Sequence, residues 1–582
     1  MNKYLFFLIL FFVVLGVNCQ DLNESVKTQQ ITVSKSYAPE LTNINKIRSV
    51  ISINDLLISD KVTVTYNLID IPVVSTFKPN KASPLTLKRN FIDESSYNSH
   101  FDFGMGNTGQ LTLDFSSHIS IDRSQGIGMD IINTNYGDVN STQISSDESL
   151  FIFGLDHILS SQKMETVHKI FFNHHSINYY GIYDDSSKLS DPLLLGKIIS
   201  DQGRSTINVL SNWKFYNSFL KGASLTVKFL NDSFDSKEEV IDFKTDMLIP
   251  IFRMNLLVVP KVSYVNTFFN QDYFDRKKIK SFYTKFETSI QLSNVEDKLK
   301  YQVGGTINYL LKQSNKLTPE ISISPKIMIS YGLNGSKFQP YLTLKGGVEI
   351  NDYSAISNLN PYVAPTLNLI PTQNLYIGRI GFKSSFDSGL DLNIGLHFKK
   401  QLNSPLFKRY AYDPSISNQG YRLANSYGLV YDETIQYGFF SETSINFGKE
   451  NFFKISLWQF NYEIDKISHP WNLPNFEGKL TLDIKIADKL RINMLTRHIG
   501  ERPSAYKRVF LNQLPENSPT ELKILSPISQ IKAEINYKLA SKWQTYLRAQ
   551  LNIGNSISQW DYYLLNQNLI LAGIRYSFNL TF

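Results

Sequence analysis

The stretch 570-ILAGIRYSFNLTF-582 puts Ile570, Ala572, Ile574, Tyr576, Phe578, Leu580 and Phe582 on one face of an extended chain, and Leu571, Gly573, Arg575, Ser577, Asn579 and Thr581 on the other. A period of two sends these sets to opposite sides of a sheet. The first set is apolar and aromatic up to the last residue, where chains usually fray into polar sequence. Either lipid or a second sheet could cover such a face.

The same alternation recurs upstream. Leu111, Leu113, Phe115, Ile119 and Ile121 oppose Thr112, Asp114, Ser116 and His118; Leu480, Leu482, Ile484 and Ile486 oppose Thr481, Asp483 and Lys485. A sandwich core needs that pattern too, so alternation alone predicts only a large antiparallel sheet. The links between strands separate the two. Counting back from the C-terminus they run long then short: 554–566 then 539–542, 501–527 then 487–489, 466–476 then 448–451, 401–430 then 387–389, 351–372 then 334–337. A transmembrane barrel keeps tight turns at one rim and long loops at the other, whereas a sandwich has no reason to sort links by parity. The predicted fold is all-β: a transmembrane antiparallel β-barrel of about 22 strands, with 18 to 24 tolerated because strand ends slip by a few residues.

Residues 1–19 begin with Lys3 and an apolar run and end at Cys19, the pattern of a secretory signal peptide. Residues 20–97 are richer in Lys, Asn and Pro and form an N-terminal periplasmic segment or reduced plug; residues 98–582 carry the strands. The single cysteine falls in the signal, which excludes disulfides and thiolate metal sites from the remainder. The longest apolar run, around Met247, is broken by Pro250 and Arg253, so no helical span is predicted. Aromatics make up 13% of the chain, with 32 Tyr and 39 Phe, which suits strands and interfacial girdles. A net charge of +7, spread along alternating positions, does not make a nucleic-acid surface. It is compatible with contact to lipid head groups and lipopolysaccharide phosphates.

Catalytic patterns were tested against the same alternation. His174 and His175 point to opposite sides of a strand, so they share no site, and His174 with Ser176 lacks an acidic orienter. Asp184, Asp185 and Asp191 match no calcium-loop spacing, and Gly126-Ile127-Gly128 lies in a strand with no helix after it. No enzyme activity, metal site or cofactor is predicted. Inward charges such as Asp114, Lys285, Glu287, Asp483, Arg491, Glu534, Arg548 and Arg575 have mixed sign, which fits cross-lumen pairing, a watery interior or a docked plug.

The terminal stretch, with Tyr576, Phe578, Leu580 and Phe582 in register, resembles the β-signal of Gram-negative outer-membrane barrels, which implies handling by the barrel assembly machinery. Ile31, Thr32 and Val33, in the leader QQITVSK, resemble the TonB box of TonB-dependent receptors. Such a segment can add a strand to a partner's sheet edge through main-chain hydrogen bonds. With a signal peptide and a wide even-stranded barrel, the whole chain resembles a TonB-dependent receptor whose N-terminal segment is shorter than that family's plug.

The resemblance implies an outer-membrane location with both termini in the periplasm, and uptake energised by TonB or another periplasmic partner. The expected ligand contacts are tyrosines of the long loops: Tyr353, Tyr362, Tyr410, Tyr412, Tyr421 and Tyr427. Two other functions fit the same pattern. One is a non-transporting barrel that partners other envelope proteins, and the other is a passive porin.

Overall fold

The computed structural model describes residues 97–581 except 139–143, 182–197, 274–276, 295–297, 313–319, 333–336, 411–418, 449, 508–519, 555–557 and 566–567. Residues 1–96, with Ile31, Thr32 and Val33, lie outside the described residues, as do Asp184, Asp185, Tyr412 and Phe582.

Successive strands pair antiparallel around a closed wall, starting from Ser99–Gly106. The last strand, Leu569–Phe578, returns to the first through the register Ser99↔Phe578 to Gly106↔Leu571. The sheet contains 23 strand segments, but Asn451–Gln459 and Asn461–Ile464 are two halves of one stave, both paired with Tyr427–Phe447 and separated at Phe460. The wall therefore has 22 staves, the number expected from alternation and link parity. Closure leaves the sheet without an edge, the condition for backbone amides to cross lipid.

The side-chain period decides what each face meets. Ile170, Ile207, Ile323, Leu396, Phe439 and Ile574 stand exposed on the outer surface. Exposed apolar residues in such number are an error on a water-facing wall and the expected coat of a lipid-facing one. Near the rim that carries the termini, Phe219, Phe252, Tyr331, Phe338 and Trp543 are also exposed, where a girdle meets the head groups. No helix among the described residues is long and apolar enough to cross a membrane. Inward charge is paired between nearby residues of the wall rather than across the lumen: Arg575 with Asp102, Arg548 with Glu534, Arg491 with Asp483 and Lys285 with Glu287, each at 2.7 Å.

Links sort by rim as expected. On the rim of the termini they range from 252–253 to 332–338; on the other they reach 350–371 and 500–527. Three details differ from expectation. Links 107–110 and 233–236 are tight although they lie on the long-link rim. The link expected at 401–430 contracts to 410–426, because Leu390–Arg409 and Tyr427–Phe447 continue pairing beyond the wall's mean height. The final strand ends at Phe578 rather than Phe582. Its neighbour begins at Ser99, so beyond that point the side chain of Asn98 substitutes, accepting from the Leu580 amide at 2.8 Å while Asn579 accepts from the Asn98 amide at 3.0 Å. Tyr576 and Phe578 stack at 5.5 Å, with Trp543 packed 4.6 Å from Tyr576.

Arg575 is the test of the closing seam. Its carboxylate partner Asp102 is buried and also accepts from the Tyr546 hydroxyl. Arg575→Ala strands that carboxylate, at a cost of about 3–5 kcal/mol. The temperature at which the folded band converts to the unfolded one in heat-modifiability gels should fall clearly, whereas a lipid-facing Ile574→Val should barely move it.

Candidate functional site

A 22-stave wall is too wide for its own side chains to fill. At the long-link rim, described residues of several links meet in shared apolar clusters. Links 179–200, 270–278, 350–371, 410–426 and 554–568 leave the wall at well-separated staves, yet described residues of each, among them Tyr179, Tyr273, Tyr353, Tyr421 and Tyr563, are buried together.

Link 350–371 is the frame of this cap. Asp352 precedes the helix Tyr353–Leu359, and its side chain accepts from the Ala355 amide at 2.6 Å. The two preceding amides, of Tyr353 and Ser354, donate to Glu238 of the wall at 2.5 and 3.0 Å. Lys228 lies 3.0 Å from Asp352 and 3.9 Å from Glu238, so one ammonium neutralises two carboxylates gathered at the helix start. The Tyr353 hydroxyl takes donors from Gln202 at 3.0 Å and Arg204 at 3.3 Å and donates to Asp232 at 2.9 Å. Arg204 also reaches the Pro361 carbonyl at 2.6 Å. Further along, Tyr283 and Tyr431 of the wall donate to the Leu369 and Asn368 carbonyls at 2.6 and 2.9 Å. These polar anchors are wall residues, and they fix the loop at both ends.

The other links dock on that frame. Tyr179 donates to the Val363 carbonyl at 2.7 Å, and Asn425 donates to the Tyr179 carbonyl at 2.8 Å. Tyr563 donates to the Asn425 carbonyl at 2.6 Å and stacks on Tyr362 at 3.4 Å between ring centres. Tyr410 stacks on Tyr273 at 3.9 Å. The fully buried Arg422 donates to the carbonyls of Tyr273 and Asp272 and to Gln419. Asp561, buried, joins Arg409 at 3.3 Å and Lys523 at 2.6 Å. Trp560 packs edge-on against Phe407 and Tyr427.

Of the tyrosines expected to meet a ligand, Tyr353, Tyr362, Tyr410, Tyr421 and Tyr427 are brought together in this cap, and Tyr353, Tyr421 and Tyr427 are entirely buried. They hold the loops to one another. Alternation did not point to Tyr179, Tyr180, Tyr273, Tyr563 and the arginines that complete the cap. A usable signal was the placing of Trp471 and Trp560 in links, since so large an apolar side chain on a loop needs cover. His174 and His175 separate as their strand requires: His174 bonds Ser205 at 2.8 Å and His175 bonds Glu148 at 2.8 Å. Among the described residues no group of His, Cys, Asp and Glu is arranged to hold a metal ion.

Burial sets the protonation of the cap. It pushes the hydroxyls of Tyr180 and Tyr410 up to about 12 and those of Tyr353, Tyr362 and Tyr563 well above their ordinary value. An opened cap would ionise these groups near their free value of about 10, while the closed cap still holds the protons. Closed-cap stability is thus complete below pH 10 and declines as pH rises through about 12. Hydrogen exchange of Tyr353–Leu359, after correction for intrinsic rate, should accelerate over that interval. Tyr353→Phe should accelerate it already at pH 8, by about 1–3 kcal/mol of lost protection, since Gln202 and Asp232 lose a buried partner.

No family model matches the chain, and no curated protein matches it. Solved structures do. The siderophore receptor PirA from Acinetobacter baumannii superposes with a TM-score of 0.60 at 11% identity, over 82% of this chain and 80% of that one. The FrpB iron transporter from Neisseria meningitidis gives 0.60 at 10%, over 83% and 81%. The ferripyoverdine receptor of the Pseudomonas aeruginosa outer membrane, bound to ferripyoverdine, gives 0.58 at 11%, over 83% and 72%. With sequences this far apart, what is common is the fold, a closed antiparallel barrel that this chain shares with these siderophore receptors and iron transporter.

Proposed function

We propose that this protein is a transport barrel of the Gram-negative outer membrane, with both termini in the periplasm, that imports a solute through a gated lumen. The carrying observation is the combination of a wall too wide to fill itself with loops at its mouth that pack on apolar clusters and are tied to the wall and to one another by polar bonds. Polar anchors can be exchanged for bonds to water or solute at small net cost, so such a cap can open while the wall stays intact. Tyr353, Tyr362, Tyr410, Tyr412, Tyr421 and Tyr427 would offer their rings and hydroxyls to the solute as the cap opens. The outward apolar coat seats the wall in lipid, with lipopolysaccharide and the barrel assembly machinery as its expected partners. Ile31, Thr32 and Val33 would engage TonB or another periplasmic energiser. The siderophore receptors and iron transporter that share the fold support transport as the class of function and leave the solute open.

Planar-bilayer recording tests this reading. The chain from Gln20 should be silent. Removal of residues 20–97 should give brief openings, and the same deletion with Tyr353→Ala and Arg422→Ala should conduct steadily. Steady conductance of the intact chain would make it a passive porin. Silence of all three would favour a non-transporting barrel that partners other envelope proteins.

Energisation has its own test. A proline cannot donate to an added strand. Thr32→Pro should therefore reduce partner-dependent uptake about tenfold or more and leave folding and surface display unchanged.

A further inference from the structure

Beneath the cap, one side of the lumen carries a line of aromatic rings that the gating account does not use. Tyr462, Phe460 and Trp458 follow one another down a single stave, with ring centres 6.2 and 6.3 Å apart and planes inclined by 30° and 12°. Trp458 stacks in turn on Phe440 of the adjoining stave at 4.7 Å. These side chains face inward, because Leu396, Phe439 and Leu457, their neighbours in sequence or register, are exposed on the outer face. The line starts at the long-link rim, where the Tyr462 hydroxyl donates to the carbonyl of Pro474 in link 465–475 at 3.0 Å.

The wall is shaped to receive the rings. A Cβ at Gly395 would stand 3.0 Å from the Phe440 ring, and one at Gly438 would stand 2.9 Å from His397 while also striking the Gln459 carbonyl. Glycine at these places lets ring and imidazole lie against the backbone. His397 is 7% exposed, its imidazole centre 5.4 Å from Trp458 and 5.1 Å from Phe460, and neither ring nitrogen has a hydrogen-bond partner. Both nitrogens are shut off from solvent, so the imidazole packs as a flat ring against Trp458 and Phe460. The Arg379 guanidinium lies beside the stack, 4.9 Å from the Trp458 centre and 5.8 Å from that of Phe440.

We propose that this ladder is a lumenal binding track for a neutral carbohydrate, on which sugar rings stack on Trp458 and Phe460 while Arg379 bonds their hydroxyls. The inference rests on the transport reading and names its solute class. Charge decides in favour of a neutral, hydroxyl-rich ring. The charges beside the track are of both signs: Glu477 pairs in register with Trp458 and has Arg497 as an electrostatic neighbour, Lys399 follows His397 on the inward face, and Glu442 follows Phe440 on that face. Carboxylates beside a guanidinium suit vicinal hydroxyls, which both donate and accept, and disfavour a polyanionic chelate.

Isothermal titration of the detergent-solubilised chain from Gln20 with maltohexaose and cellohexaose tests the track. At least one oligosaccharide should bind. Trp458→Ala and Phe460→Ala should each weaken it about tenfold, a lipid-facing Leu457→Ala should leave it unchanged, and heat-modifiability should confirm folding of all four proteins. Excess 2,3-dihydroxybenzoate, a flat anion, should not compete. The proposal is overturned if neither oligosaccharide binds, if Trp458→Ala binds as well as the parent, or if the anion displaces the sugar. It is also overturned if the fluorescence assigned to Trp458, by difference from Trp458→Phe, is shielded from iodide and unaltered by sugar, because the chain's own N-terminal residues then occupy the ladder. None of these failures touches the conductance test, so the track can fall while gated transport stands.

Discussion

The structure depends on one constraint: in lipid, a sheet cannot leave an edge. The pairing of Ser99–Gly106 with Leu569–Phe578 meets it, because it gives the first and last staves the same neighbours as every other strand. Most else follows. Once closed, the wall has an outside that only apolar residues tolerate and an inside that must be wet, paired or covered. The period-two alternation is the sequence's answer to both demands at once.

Size carries the argument to function. A small barrel fills its own lumen; one of 22 staves does not, and the chain meets the resulting opening with loops from distant parts of the sequence. These loops hold by hydroxyl-to-carbonyl bonds, a buried Asp561 with two cations, and a short helix whose first amides end on Glu238. The cap is tied to the wall through Glu238, Arg204, Asp232, Tyr283 and Tyr431 and shares apolar cover with Leu230, Phe269 and Tyr427.

What was legible in the sequence was what is local. Ile574 outward and Arg575 inward follow from their parity, and short and long links follow from their composition. Stave number could be counted even though single strand ends were off by several residues, as at Phe578. The cap was not legible. Nothing near Tyr353 in sequence shows that Gln202, Arg204 and Asp232 will surround its hydroxyl, for those partners lie more than a hundred residues upstream and arrive only when the wall closes. A loop tyrosine meeting solvent and one meeting another loop look alike in sequence. The aromatic ladder was hidden differently: Trp458, Phe460 and Tyr462 alternate as any strand does, and only their stacking against Phe440 and His397 across neighbouring staves distinguishes them.

The central claim is that the loops are the gate. The isolated bridge between Ile199 and Gln419 joins two of them backbone to backbone, close enough for a disulfide in a chain whose one cysteine lies at position 19. The most direct measurement is single-channel recording of Ile199→Cys with Gln419→Cys, in the chain lacking residues 1–97, before and after reduction. The account predicts silence while the bridge is oxidised and restored openings once it is reduced. Equal conductance in both states would contradict it, and the path through the barrel would have to lie elsewhere.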